Sequence, residues 1–197
     1  MTRLRLVSIL AAVVFAVSVA HAQTPMRIRG IITSVEGNTL AVKSRDGVDL
    51  NVALADNLTV VVAQSARFED IKVGDYVGTT TTPGSNGDEV AIEVHYLAPT
   101  VAPGQATSDL VPDAKMTNAN VQTAVVATNG YELTLQLAGG TQKVVVPSTT
   151  PIVRTVPGAR SDLRAGEYVF VSAQKAPDGA ITAQRVQVSR DGVRPPQ

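Results

Sequence analysis

Ser161-Asp162-Leu163-Arg164-Ala165-Gly166-Glu167-Tyr168-Val169-Phe170-Val171 has a near copy of itself 92 positions upstream, Glu69-Asp70-Ile71-Lys72-Val73-Gly74-Asp75-Tyr76-Val77-Gly78-Thr79. Each copy runs acid, branched apolar residue, two spacers, Gly, acid, Tyr-Val. The first acid can accept bonds from nearby backbone N–H groups, and the glycine can take positive φ at little cost. The Tyr-Val that follows has the bulk and β-propensity to start a strand. The stretch therefore reads as a tight turn feeding a β-strand, and its recurrence predicts a duplicated, all-β chain.

The surroundings of both copies agree. Downstream of the first, 76–82 reads as a strand, Pro83-Gly84-Ser85-Asn86-Gly87-Asp88 as a connection and 89–97 as a second strand. That second strand alternates, with Val90, Ile92, Val94 and Tyr96 on one face and Glu89, Ala91, Glu93 and His95 on the other. Upstream come strands at 27–35 and 39–44, the hairpin signal Asp46-Gly47, strands at 48–52 and 58–63, and one helical turn at 64–69 that Asp70 caps. The second copy is framed by strands at 121–128, 132–137, 142–146, 150–154, 168–175 and 181–189, with Asn129-Gly130, Gly139-Gly140 and Asp178-Gly179 as turns. The expected division is 26–97 and 117–190, joined by a Pro-rich linker at 98–116 and followed by a frayed polar tail at 191–197.

Residues 1–22 stand apart. Arg3 and Arg5 precede an apolar run at 6–20 and the small-x-small site Ala20-His21-Ala22, the pattern of a secretory signal. The run falls short of the roughly 20 residues of a comfortable membrane span, so the expectation is a periplasmic or secreted chain without a membrane span in its mature form. The chain has no Cys, which excludes disulfides and a lipidated N-terminal Cys. Taking away the signal leaves 175 residues with 15 Lys/Arg and 17 Asp/Glu. That balance does not favour nucleic acid or an anionic membrane as a partner. The halves differ in sign: residues 26–97 carry six basic and ten acidic side chains, and 117–190 carry seven and four. Attraction between acidic and basic halves is one reading and drift between duplicates the other.

Five or six short strands and a single turn of helix in about 70 residues are too few for a sandwich of about seven strands and 100 residues. The expected fold is all-β, two tandem small OB-like Greek-key β-barrels, with an SH3-like barrel as the nearest competitor.

Gly30-Ile31-Ile32, Val35, Leu40 and Val42, then Asp70-Ile71 with Gly74-Asp75-Tyr76-Val77, then Gly87, Ala91 and Val94, form a pattern that resembles a family of secreted bacterial β-barrel repeats known as domain of unknown function 5666. The second unit matches through Asp162-Leu163, Gly166-Glu167-Tyr168-Val169, Asp178-Gly179, Ala183 and Val186. The resemblance covers nearly all of 26–190 and implies an exported barrel fold. Its motifs are turn and core positions, so it implies no catalytic residue. The first unit departs from the second at Gly78, where the second has Phe170.

Candidate chemistry is sparse. Once His21 leaves with the signal, His95 is the single histidine, and no Gly-x-Ser-x-Gly elbow marks a nucleophile. Glu89, Glu93 and His95 share a predicted strand face at spacings of about 13 and 7 Å, which leaves Glu93 and His95 as the pair able to share a cation. The matching positions of the second unit, Ile181, Arg185 and Gln187, carry no such pair. The competing reading is a solvated face, with Arg27 and Arg29 as cross-strand partners. No cofactor is implied, because the glycine pairs join strands and do not open helices. The expected role is an exported, non-enzymatic binding or scaffold protein of the bacterial envelope, with an envelope protein or polysaccharide as partner. A small-ligand or metal-ion carrier is the alternative. For the binding role the candidate surface is the second and third strands of the second barrel, with Glu132, Thr134, Gln136, Thr141 and Lys143.

Overall fold

Valine, isoleucine and threonine crowd the runs between Gly, Asn and Asp turns, and branched side chains pack best on a pleated surface. The computed structural model, which describes residues 23–85 and 87–196, is accordingly all-β. The expected signal at 1–22 lies outside the described residues. Twelve strands follow in order: β1 (Thr24–Glu36), β2 (Thr39–Ser44), β3 (Asp49–Ser65), β4 (Tyr76–Pro83), β5 (Glu89–Tyr96), β6 (Gly104–Thr107), β7 (Lys115–Ala127), β8 (Gly130–Leu137), β9 (Gly140–Val146), β10 (Ile152–Pro157), β11 (Tyr168–Lys175) and β12 (Ile181–Val188). Two short 3-10 turns, Phe68–Asp70 and Arg160–Asp162, lead into β4 and β11.

Pairing crosses the middle of the chain. β1, β2 and β3 form an antiparallel meander, β11 pairs with β1, and β12 closes a barrel by running parallel to β3 from Thr182 opposite Ala53 to Val188 opposite Val62. A second ring joins β7, β8 and β9 to β4 and β5, with β5 meeting β9 in parallel at Glu89–Val144 and Val90–Val145. Each core therefore draws on both halves of the sequence. Leu40, Val42, Val52 and Val62 pack with Val171, Ala183, Val186 and Val188 in the first. Val77 and Val94 pack with Val121, Leu133, Leu135 and Val144 in the second. The segments 26–97 and 117–190 are units of sequence, and the packed bodies are assembled across them. The halves are interlocked by pairing.

The crossing is made by β3 and β10, which run antiparallel from Val61–Pro157 to Ser65–Val153. The sequence reading has strands at 48–52 and 58–63. Here they are one strand, whose residues 55–58 leave the β12 ladder between Leu54–Ala183 and Thr59–Arg185. β6 and the first two residues of β7, Lys115 and Met116, fall where a linker is expected; Pro99, Pro103 and Pro112 mask the pairing that Gly104–Thr107 makes with β7. The expected frayed tail is also corrected: Arg190 bridges to Val193, and Pro195 and Pro196 are buried.

The motif copies sit at the entries to β4 and β11. Gly74 has φ 92° and Gly166 φ 91°. Gly74 N donates to Val121 O while Val121 N donates to Asp75 O, and Gly166 N donates to Ile32 O while Ile32 N donates to Glu167 O. Each turn is thus stitched to the first strand of the other half. The leading acids serve the turns: Asp70 Oδ2 accepts the Arg67 N–H at 3.1 Å and Asp162 Oδ2 the Ala159 N–H at 2.8 Å. Asp162 also meets Arg190 at 2.7 Å.

At Gly74 and Gly166 an added Cβ would meet nothing within 4 Å, so only the backbone conformation resists substitution. Gly74→Ala and Gly166→Ala should each lower the free energy of unfolding in urea by about 1–2 kcal/mol. Gly139→Ala, at an equally open position without positive φ, should not, and equal midpoints for all three would contradict this role. The backbone bond from Ala159, reinforced by Arg190 and opposed by burial, holds the Asp162 carboxyl below its ordinary 3.8. A lowered folded pKa stabilises above the unfolded value and is lost as pH falls through the folded one. Urea midpoints should therefore drop below about pH 4, and Asp162→Asn should flatten that dependence.

Candidate functional site

A β-bulge decides what β5 presents. Thr80 pairs with Glu93 and Thr81 with Ala91, so Ile92 is the extra residue and the alternation reverses there. Ala91 and Val94 both enter the second core, whereas strict alternation would put them on opposite faces. Glu89 leaves the face of Glu93 and His95; it accepts from Thr81 Oγ1 at 2.6 Å and from Lys115 Nζ at 2.7 Å. Those bonds outweigh desolvation and hold its carboxyl below the ordinary range. Neither Arg27 nor Arg29 is its partner, as the expected cross-strand pairing would require.

Glu93 and His95 point away from the core yet are not solvated, being 7% and 5% exposed. Glu93 Oε1 lies 3.0 Å from His95 Nδ1, without the alignment of a hydrogen bond at that nitrogen. The imidazole lies over Gly78, its β4 neighbour, where a Cβ would press on Nε2 and stand 2.7 Å from Cε1. The absence of a side chain at Gly78 thus makes the seat for His95. In the other ring the corresponding neighbours are Phe170 and Gln187. Among the described residues no group of three or more His, Asp or Glu side chains gathers as a metal site.

The five surface candidates do converge. Glu132, Thr134 and Gln136 of β8 stand beside Lys143 and Thr141 of β9, on the side opposite the buried Leu133 and Leu135. They are largely paired already. Lys143 meets Glu132 at 3.1 Å, Thr123 donates to Thr134 at 2.8 Å, and Gln136 Nε2 donates to the carbonyls of Leu137 and Gly140. Gln136 and Thr141 border a hollow of about 680 Å³ with Gln105 and Asn118.

A larger cleft, about 930 Å³, opens between the two rings of strands, and the sequence reading did not single it out. On one wall the outward residues of β2, β1 and β11 lie side by side: Lys43 opposite Ile31, Ile31 opposite Tyr168, and Arg29 opposite Phe170. Ile152, Val153 and Glu93 form the facing wall, and the C-terminal segment supplies Val193 and Arg194. Arg194 stacks 4.0 Å over the Tyr168 ring and donates to its hydroxyl at 2.9 Å. The Arg29 guanidinium lies 5.0 Å from the Phe170 centroid. Arg29, Lys43, Arg45 and Arg194 against Glu93 make the cleft basic, with apolar Ile31, Ile152, Val153 and Val193 within it. The signal available in sequence was the outward Arg29-x-Ile31 of β1, but which face is outward only matters once a second body faces it.

Comparison of the chain with protein-family models, curated proteins and solved structures gives no match.

The Gly78–His95 contact has a thermodynamic signature. Gly78→Ala should lower stability by about 1–3 kcal/mol through overpacking. In a His95→Ala background most of that loss should vanish, as contacting residues couple. Additive losses in a urea double-mutant cycle would refute the seat.

Proposed function

We propose that this chain is an exported, non-enzymatic binding protein whose ligand site is the cleft between its two barrels. The observation that carries the reading is the cleft itself: its volume falls within the 300–1,000 Å³ or so of small-molecule sites, and it combines apolar walls with converging basic groups. Export rests on the signal pattern of 1–22 and on the resemblance to secreted barrel repeats. Among the described residues no helix is long and apolar enough to cross a membrane.

The architecture supports a duplication as its origin. We read each ring as an OB-like Greek-key barrel in which three strands of one repeat are completed by the last two of the other. The order β1-β2-β3-β12-β11 and the parallel β3–β12 closure support that reading, as do the matched bonds of Gly74 and Gly166. Exchange of identical elements between like units is a low-cost way to join them. The site then arises where the copies differ, at Arg29 and Phe170 against Asn118 and Gly78. A metal carrier using Glu93 and His95 has less support, because an ion such as zinc takes about four donors and the pair supplies two.

Native mass spectrometry of the chain recovered from a bacterial envelope tests the proposal. A bound small molecule is expected on the parent and should be lost from Ile31→Trp, which fills the cleft. Free protein in both cases would count against a binding role, and an adduct unaffected by Ile31→Trp would move the site elsewhere.

A further inference from the structure

The segment between the two halves of the sequence already places an aliphatic side chain in the cleft and a carboxylate beside it, in a smaller hollow that shares Arg29 and Arg45 with the cleft. Asp109 Oδ2 lies 2.8 Å from Arg29 Nη1 and 3.9 Å from Arg45 Nη2. The Arg45 guanidinium also donates to the Asp109 carbonyl at 3.3 Å. The next residue, Leu110, lines the cleft. We propose that Asp109-Leu110 is an internal stand-in for the ligand, so that the cleft takes an aliphatic carboxylate whose head displaces Asp109 from Arg29 and Arg45 and whose chain lies along Ile31, Ile152 and Val153. The inference rests on the cleft being the binding site and names the chemistry of what enters it.

Three features of the arrangement carry it. Arg29 is held in place independently of Asp109, by stacking on Phe170, and its side chain is only 12% exposed. Its Nε is buried and makes no hydrogen bond to another described residue, so the guanidinium has donor capacity beyond what Asp109 uses. Asp109, by contrast, is 63% exposed and sits on a connection between strands, where an ion pair is weak and easily exchanged. An incoming carboxylate would restore the charge-assisted bond that Asp109 gives up. The exchange favours the incoming head, because Asp109 reaches the sheltered Arg29 from an exposed position, and burial of the aliphatic chain adds to that gain. The arginines on one wall and the apolar Ile152 and Val153 on the other fix the orientation: head toward Arg29 and Arg45, chain toward β10.

Burial works to raise the Asp109 carboxyl, but the charge and hydrogen bond of Arg29 outweigh it and hold the group below its ordinary value. At neutral pH the internal carboxylate is therefore ionised and a true competitor for the head.

Isothermal titration with decanoate as probe, decanol as its uncharged counterpart and acetate as its head alone tests the inference on the full chain. Decanoate should bind at least tenfold more tightly than decanol or acetate. Asp109→Asn should tighten decanoate binding several-fold by removing the competitor, and Leu110→Ala should move it the same way. Arg29→Gln should weaken it at least tenfold, with circular dichroism confirming that the variant folds. Equal binding of decanoate and decanol, unaffected by Arg29→Gln, would overturn the carboxylate assignment while leaving a binding cleft. Binding of a peptide spanning 105–113 in place of decanoate would overturn the small-molecule class. Absence of decanoate binding, together with an Ile31→Trp-sensitive adduct of other chemistry in native mass spectrometry, would overturn the inference and keep the proposed function. Absence of both would overturn both.

Discussion

Everything in this molecule depends on the antiparallel register of β3 against β10. A three-stranded meander leaves two unpaired edges, and exposed edges invite pairing with whatever strand arrives. β3 does not turn back after closing its side of the first barrel. It continues to Ser65 along β10, and that straight run delivers the chain to the opposite ring, where β4 and β5 complete β7, β8 and β9. β10 carries the return traffic to β11 and β12. Gly158, just past β10, packs closely on this crossing: a Cβ there would stand 2.7 Å from a Val62 methyl. Once the crossing is fixed, neither half can bury its apolar faces without the other.

That constraint explains why the two outer surfaces can diverge while the cores stay alike. Core positions answer to packing on both sides, and a well-packed interior tolerates little change in volume. Outward positions answer only to what lies over them. In one ring Gly78 admits the His95 imidazole, and the connecting segment lies over the same face, with Val101 and Ala102 carbonyls accepting from Tyr76 and Asn118. In the other, Phe170 supports Arg29, and Arg194 of the C-terminal segment covers Tyr168. The first arrangement buries a polar pair and the second leaves a basic, partly apolar cleft.

Much of the secondary structure was legible from residues alone, because period-two patterning and Gly, Asn and Asp turns act over a few residues. β2 and β11 match the expected limits, and the positive φ of Gly74 and Gly166 follows from the motif itself. The candidate site was less legible. The bulge at Ile92 reversed the β5 faces, since a bulge depends on the partner strand's register, which the residues of β5 alone do not mark. Glu93 and His95 lie side by side on one strand face but are buried, where the solvated-face reading puts them in water. Glu132, Thr134, Gln136, Thr141 and Lys143 share one surface because those five belong to one hairpin. The Arg29, Arg45 and Asp109 cluster was invisible, being 80 and 64 positions apart across the connecting segment.

The sequence by itself determined the strands, their turns, the two copies of the Gly-acid-Tyr-Val entry and the absence of disulfide support. These are local properties, set by backbone sterics and by hydrophobic patterning along each segment. Tertiary structure alone decided which three strands each β-pair would complete, which outward face would be covered, and where basic side chains would converge. Pairing β12 with β3 or with its own half's β9 satisfies the same hydrogen bonds and the same alternation. The choice between them rests on the path of β3 and β10 through the crossing, a constraint that exists only when both halves are present.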